Sequence, residues 1–111
     1  MPRPVEAQRQ VDARAPRMEK LRANRDGIRS IASRHGASNV RIFGSVARGE
    51  DGPESDVDLL VDLDVHTRGL LHLVAVADEL SALLGERVDV VAASALAPHI
   101  AASVRAEAKP L

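Results

Sequence analysis

Residues 57–63, VDLLVDL, alternate with the period of an extended strand. Successive strand side chains point to opposite faces, so Val57, Leu59, Val61 and Leu63 project one way, while Asp56, Asp58, Leu60 and Asp62 project the other. One face is core and the other is acidic. Any fold built around this segment must bury the first and find a use, or at least water, for the second.

The neighbouring segments supply the rest of a small domain. NVRIF (39–43) reads as a short strand with Val40 and Ile42 on one face, ended by Gly44. SVARGE is long enough for about one helical turn, with Ser45 as a natural N-cap, and EDGPES (50–55) is loop by composition. Upstream, Leu21, Ile28 and Ile31 recur at helical spacing and Gly36 sits where a C-cap belongs, which predicts one helix over 17–35 with an unfavourable Gly27 inside it. Downstream, residues 68–85 predict a helix whose apolar positions, Leu70, Leu73, Val74, Val76, Ala77, Leu80, Leu83 and Leu84, span a wide arc, with Leu71 outside it and Gly85 as C-cap. RVDVV (87–91) reads as a third strand, with Asp89 facing opposite to Val88 and Val90. A final helix is expected over 94–107, capped by Ser94 and tolerating Pro98 in its first turn. Residues 1–17, with scattered charge and no period, read as a flexible N-terminal arm. The expected fold is α/β (α+β), residues 18–111, with a small mixed sheet of three to four strands flanked by helices.

Composition narrows the function classes. A chain of 111 residues fits one domain. Phe43 is its one aromatic residue, so gripping single strands by base stacking is not available and direct nucleic-acid binding is not expected. With no cysteine there is no disulfide framework, thiolate metal site or cysteine nucleophile. No apolar run reaches bilayer length and the N-terminus lacks a signal-peptide stretch, so a cytoplasmic protein without membrane attachment is expected. Residues 1–50 carry eleven Lys/Arg against five Asp/Glu, and residues 51–111 carry four against eleven. Such a dipolar chain suits an anion and a cation held together, although asymmetry of this kind is also an ordinary solubility trait.

The acidic face carries the chemistry. Two carboxylates at i and i+2 on a strand repel unless a cation lies between them, and Asp89 joins Asp56 and Asp58 if its strand lies alongside. Oxygen donors without His or Cys suit Mg2+, or Mn2+, rather than zinc. An acidic strand face is also common without function, and D-x-D occurs by chance. The upstream turn adds weight, because a strand ending in Gly44-Ser45 and opening a helix exposes backbone N–H groups to a phosphate. Together the two features make a site for a nucleoside triphosphate. Arg48 could contact phosphate or pair with Glu50, Asp51 or the acidic strand. There is no G-x-x-x-x-G-K-[ST] and no EF-hand loop, and His35, His66, His72 and His99 lack zinc-ligand spacing. Asp62 and Asp64 are expected to be solvated.

GSVARGEDGPESDVDLLVDLD with a later RVDVV resembles the nucleotidyltransferase superfamily of DNA polymerase beta, and most nearly its minimal nucleotidyltransferase (MNT) branch. The resemblance covers residues 18–111 and implies a polymerase-beta-type core. It further implies that Asp56, Asp58 and Asp89 are catalytic and hold two metal ions. Asp56 and Asp58 would hold the ion on the triphosphate, and Asp58 with Asp89 the one that activates the attacking hydroxyl, Asp89 also being a candidate base. Gly44, Ser45, Arg48 and Ser55 fall on nucleotide-binding positions, with ATP as the implied substrate. Larger members add domains that position an acceptor, for which this chain has no room. In the minimal branch the partner is a HEPN-domain toxin, which implies an antitoxin that transfers AMP to a tyrosine of that toxin. A binding-only antitoxin and a small-molecule nucleotidyltransferase are the alternatives.

Overall fold

The computed structural model describes residues 16–64, 66 and 69–111. The chain runs α1 (Pro16–Ala23), α2 (Arg25–Arg34), β1 (Ser38–Phe43), α3 (Gly44–Arg48), β2 (Val57–Asp62), α4 (Leu71–Leu84), β3 (Val88–Ala92), a 3-10 turn (Ala93–Ala95), α5 (Pro98–Glu107) and β4 (Lys109–Pro110). The strands form one mixed sheet in the order β3-β2-β1-β4. β1 pairs antiparallel with β2 and β4, and β2 pairs parallel with β3 through the α4 crossover that such a pair requires. This is the expected α/β class, a four-stranded sheet flanked by helices. Residues 1–15 of the expected arm, and Arg68 at the expected start of the crossover helix, lie outside the described residues.

The helix expected over 17–35 is two helices. Asn24 Nδ2 donates to the Lys20 carbonyl at 2.8 Å, and the Asn24 backbone N–H is shared between the carbonyls of Lys20 and Leu21. An asparagine that competes for helix carbonyls ends the helix locally. The second helix closes as Gly36 foresaw: with φ +81°, it lets Ala37 N–H return to Ala32 O at 2.9 Å. Gly27 has a packing reason, since a Cβ there would come within 3.2 Å of Leu83 Cδ2 where α2 meets α4. Arg17 stands in α1 and grips the molecule at two places, donating to Glu86 at 2.9 Å and to Asp51 at 3.1 Å. It thereby ties α1 to the loop that leads into β2.

One face of the sheet carries the core. Val40 and Ile42 of β1 and Val57, Leu59 and Val61 of β2 cluster with Ile28 and Ile31 of α2 and with Leu73, Val76, Leu80 and Leu84 of α4. The buried stripe of α4 is narrower than its apolar arc, for Leu70, Val74 and Leu83 are exposed along with Leu71. Leu60 departs from the expected pattern in the other direction. It was assigned to the acidic face, yet it is completely buried. Among the described residues, Leu60, Ala93 and Ala101 are the buried apolar ones outside the main cluster. The 3-10 turn packs on β2, and α5 packs on β1 and α3, so part of the second face is covered as well.

The final helix also differs from expectation. Ser94 lies in the 3-10 turn, where its hydroxyl donates to Leu63 O at 2.9 Å, and α5 starts later, with Ala97 at the N-cap and Pro98 in the first turn. β4 follows directly, pairing Lys109 with Ile42. Among the described residues no helix is long and apolar enough to cross a membrane. The burial of Leu60 is open to a direct check: Leu60→Ala is expected to lower the unfolding free energy by about 2–5 kcal/mol, measured by urea denaturation, where a residue on an open acidic face would cost almost nothing.

Candidate active site

The site begins where β1 hands over to α3. Gly44 has φ +75°, a conformation that glycine adopts without strain, and a Cβ built on it would overlap the Asp58 carboxylate. Phe43 and Asp58 are register partners on the antiparallel pair. The glycine turn and the second aspartate of D-x-D are thus in contact, fourteen residues apart in sequence.

The parallel pairing adds the third carboxylate. Asp58 and Asp89 are register partners on β2 and β3, so their side chains leave the same face of the sheet from adjacent strands. Burial, and after it the charges of Asp89, Asp56 and Glu107, raise the Asp58 pKa, while Arg48 opposes them. Asp56 precedes β2. Its Oδ1 is shut from solvent and accepts no hydrogen bond, although Arg87 Nε stands 2.8 Å away as an ion-pair partner without hydrogen-bond alignment. Among the described residues no three His, Cys, Asp or Glu side chains are drawn round a single point ready to hold an ion. The donor set nonetheless fits magnesium or manganese: it is all oxygen, with Asp58 and Asp89 in adjacent register, an Asp56 oxygen that accepts no hydrogen bond, and an Asp58 whose ionised form is under-compensated.

The remaining residues singled out from the sequence divide. Ser45 is not an N-cap; Phe43 holds that position and Ser45 lies within α3, where its hydroxyl has no hydrogen-bond partner. Arg48 pairs with carboxylates, donating from Nε to Glu50 at 2.9 Å and from Nη1 to Glu107 at 2.8 Å, and these bonds raise its pKa. The Ser55 hydroxyl accepts from Gly52 N–H at 2.9 Å and so is engaged in its own loop. Asp62 is not simply solvated, since it accepts from Arg41 at 2.6 Å and Asn39 at 3.1 Å, and Asp64 accepts from His66 N–H at 3.0 Å. His35 and His72 meet between α2 and α4, where His35 Nε2 lies 2.7 Å from Glu79.

Sequence reasoning missed Glu107. At the end of α5, its Oε1 accepts from Gly44 N–H at 2.7 Å and its Oε2 from Arg48. The Gly44 N–H holds this carboxyl below its ordinary pKa; burial opposes it and Arg48 adds to the lowering. A glutamate at the end of an amphipathic helix looks like any solvated charge, so no local pattern marks it.

The family model described as a nucleotidyltransferase domain matches residues 25–110. The chain belongs to the nucleotidyltransferase family. Among curated relatives, the protein adenylyltransferase MntA of Thermococcus cleftensis is 40% identical over 79 residues, 71% of this chain and 79% of the relative. A solved chain described as a minimal nucleotidyltransferase superposes with a TM-score of 0.74 at 48% identity, covering 84% of this chain and 94% of that one. A chain from a toxin–antitoxin structure solved with AMP-PNP superposes with a TM-score of 0.64, covering 78% of this nucleotidyltransferase and 71% of that chain, and at 22% identity it shows the shared fold.

Two outcomes follow from the contact between turn and carboxylate. Gly44→Ala must strain the backbone and displace Asp58, so it is expected to cost about 1–3 kcal/mol in denaturation and to abolish nucleotidyl transfer. Asp58→Asn is expected to raise the thermal midpoint of the metal-free protein at neutral pH while also abolishing transfer. The sign follows from the raised pKa: stabilisation by protonating Asp58 is complete below the ordinary carboxylate pKa and is lost as pH rises through the folded value. The gain from Asn should therefore shrink as a thermal-shift series moves to acid pH.

Proposed function

We propose that this nucleotidyltransferase transfers AMP from ATP to a tyrosine hydroxyl of a partner protein in the cytoplasm, the partner being a HEPN-domain toxin and this chain its antitoxin. The observation that carries the reading is the contact of the Gly44 turn with Asp58, beside Asp89 in adjacent register. The identity to MntA over most of both chains supports a protein acceptor. The exposed Leu70, Leu71 and Val74 on α4 are compatible with a protein partner.

In this reading Ser45, with its unpartnered hydroxyl, and Arg48 hold the triphosphate, and Gly44 keeps the turn close enough to Asp58 for the α-phosphorus to lie over the acidic face. Asp89, the most open of the three aspartates, accepts the tyrosine proton as the tyrosine oxygen bonds to the α-phosphorus and the bond to pyrophosphate breaks. Asp56, Asp58 and Asp89 would hold magnesium or manganese, which when bound would neutralise triphosphate charge and lower the pKa of the attacking hydroxyl. Arg87 pairs with Asp56 and offsets part of the acidic charge. Ser55 acts through the loop that delivers Asp56.

The test is label transfer from α-labelled ATP with magnesium to the protein encoded beside this one. The wild-type chain is expected to label the partner, and the Asp56→Asn, Asp58→Asn double variant to lose roughly a thousandfold in rate. Co-purification and silencing of the partner without label would replace this reading with a binding-only antitoxin. Transfer to a small molecule with no partner present would replace it with a small-molecule transferase.

A further inference from the structure

Glu107 reaches the glycine turn from a distant part of the chain. Its two carboxylate oxygens are divided between Gly44 N–H at 2.7 Å and Arg48 Nη1 at 2.8 Å, the first and last residues of α3. A five-residue helix has almost no stability of its own, because nucleation costs about as much as so few hydrogen bonds return. α3 is thus held at both ends by one carboxylate, and the Arg48 guanidinium is fixed on a second edge by Glu50 at 2.9 Å.

We propose that Glu107 is a positioning residue of the nucleotide site, bracing the Gly44 turn and the Arg48 side chain in the arrangement that receives the triphosphate. The inference rests on the placement of the nucleotide at this turn. Two observations favour a brace over a carboxylate that merely occupies the phosphate position. Glu107 sits at a junction that is itself anchored: Ala108 N–H returns to Val104 O at 2.9 Å, Lys109 pairs with Ile42, and Leu111 is buried. Glu107 also bonds Gly44 N–H and Arg48 Nη1 and not Ser45, so the Ser45 hydroxyl stays available to phosphate while Gly44 N–H is spent on structure. Ordering the site before ATP arrives removes a cost that binding would otherwise bear, so the effect belongs in affinity more than in the chemical step.

The experiment measures ATP–magnesium binding by calorimetry, steady-state transfer, and the thermal midpoint for wild type, Glu107→Ala, Glu107→Gln, Arg48→Ala and the Glu107→Ala, Arg48→Ala pair. Glu107→Ala is expected to weaken ATP binding and raise KM by about tenfold, with kcat changed by no more than about twofold. Glu107→Gln keeps an acceptor for Gly44 N–H but loses the ion pair, and should recover about half of that loss on a logarithmic scale. In the Arg48→Ala background, removing Glu107 should cost clearly less than it does in wild type, since the two act through one contact. Tighter ATP binding by Glu107→Ala would overturn the proposal and make Glu107 a competitor of phosphate. Unchanged binding, or a loss that is the same in both backgrounds, would overturn it too. If Glu107→Ala does not fold, the near-isosteric Glu107→Gln decides: wild-type affinity in a variant with a wild-type midpoint removes the brace. A wild-type chain that binds no ATP overturns the placement of the nucleotide itself, an outcome distinct from a wild type and variants that all bind alike.

Discussion

The structure depends on one steric permission. At Gly44 the chain leaves β1 with a positive φ, and the missing side chain is replaced by the carboxylate of Asp58 from the neighbouring strand. Any Cβ at that point would push the turn off the acidic face. The pairing of Phe43 with Asp58 and of Asp58 with Asp89 then extends this single approach into a surface shared by three strands. Distances on that surface are set by strand spacing rather than by flexible loops, and this is how so small a scaffold can hold reacting groups in register.

That surface is assembled against its own electrostatics. Asp58 is partly buried beside Asp89, Asp56 and Glu107, and its ionised form is disfavoured as a result. The cations nearby are distributed at the rim, Arg87 on Asp56 and Arg48 on Glu107 and Glu50, where they limit the repulsion without filling the centre. The rest of the fold supplies the offsetting stability. A core of branched aliphatic side chains fills the opposite face, and Arg17 and Lys20 of α1 meet on Glu86 at 2.9 Å and 2.8 Å, tying the first helix to the end of the crossover. Most of the stability thus comes from the face opposite the aspartates, with Leu60 adding to it on their own face.

Much of this was legible in the sequence because a strand has a period of exactly two residues, so D-x-D and a lone aspartate in a valine strand announce a common face. The register of Asp58 with Asp89 follows from that period, and the turn at Gly44 from the glycine that ends the first strand. What was hidden lies in tertiary packing. Leu60 alternates as a polar-face residue and is buried because α5 and the 3-10 turn cover part of that face, a relation between segments far apart in the chain. The apolar arc of α4 overstated its buried width, since periodicity reports which residues could face a core and not how wide the core is. Asn24 broke a helix by a hydrogen bond to its own backbone, and β4, two residues long, has no period to detect. Glu107 was invisible for the plainest reason: its importance comes from what it touches.

The parallel register of β2 and β3 has a thermodynamic consequence. The two strands are joined by the α4 crossover, whose Leu73, Val76, Leu80 and Leu84 share the core cluster with Val57, Leu59 and Val61 of β2. Anything that bridges Asp58 and Asp89 favours the docked crossover, and a docked crossover favours the bridge by the same free energy. The acidic face and the far side of the molecule are in that sense two readings of one equilibrium. In the proposed reading, loosening α4 would weaken binding at Asp58 and Asp89 by the same free energy with which an occupied pair would hold α4 docked.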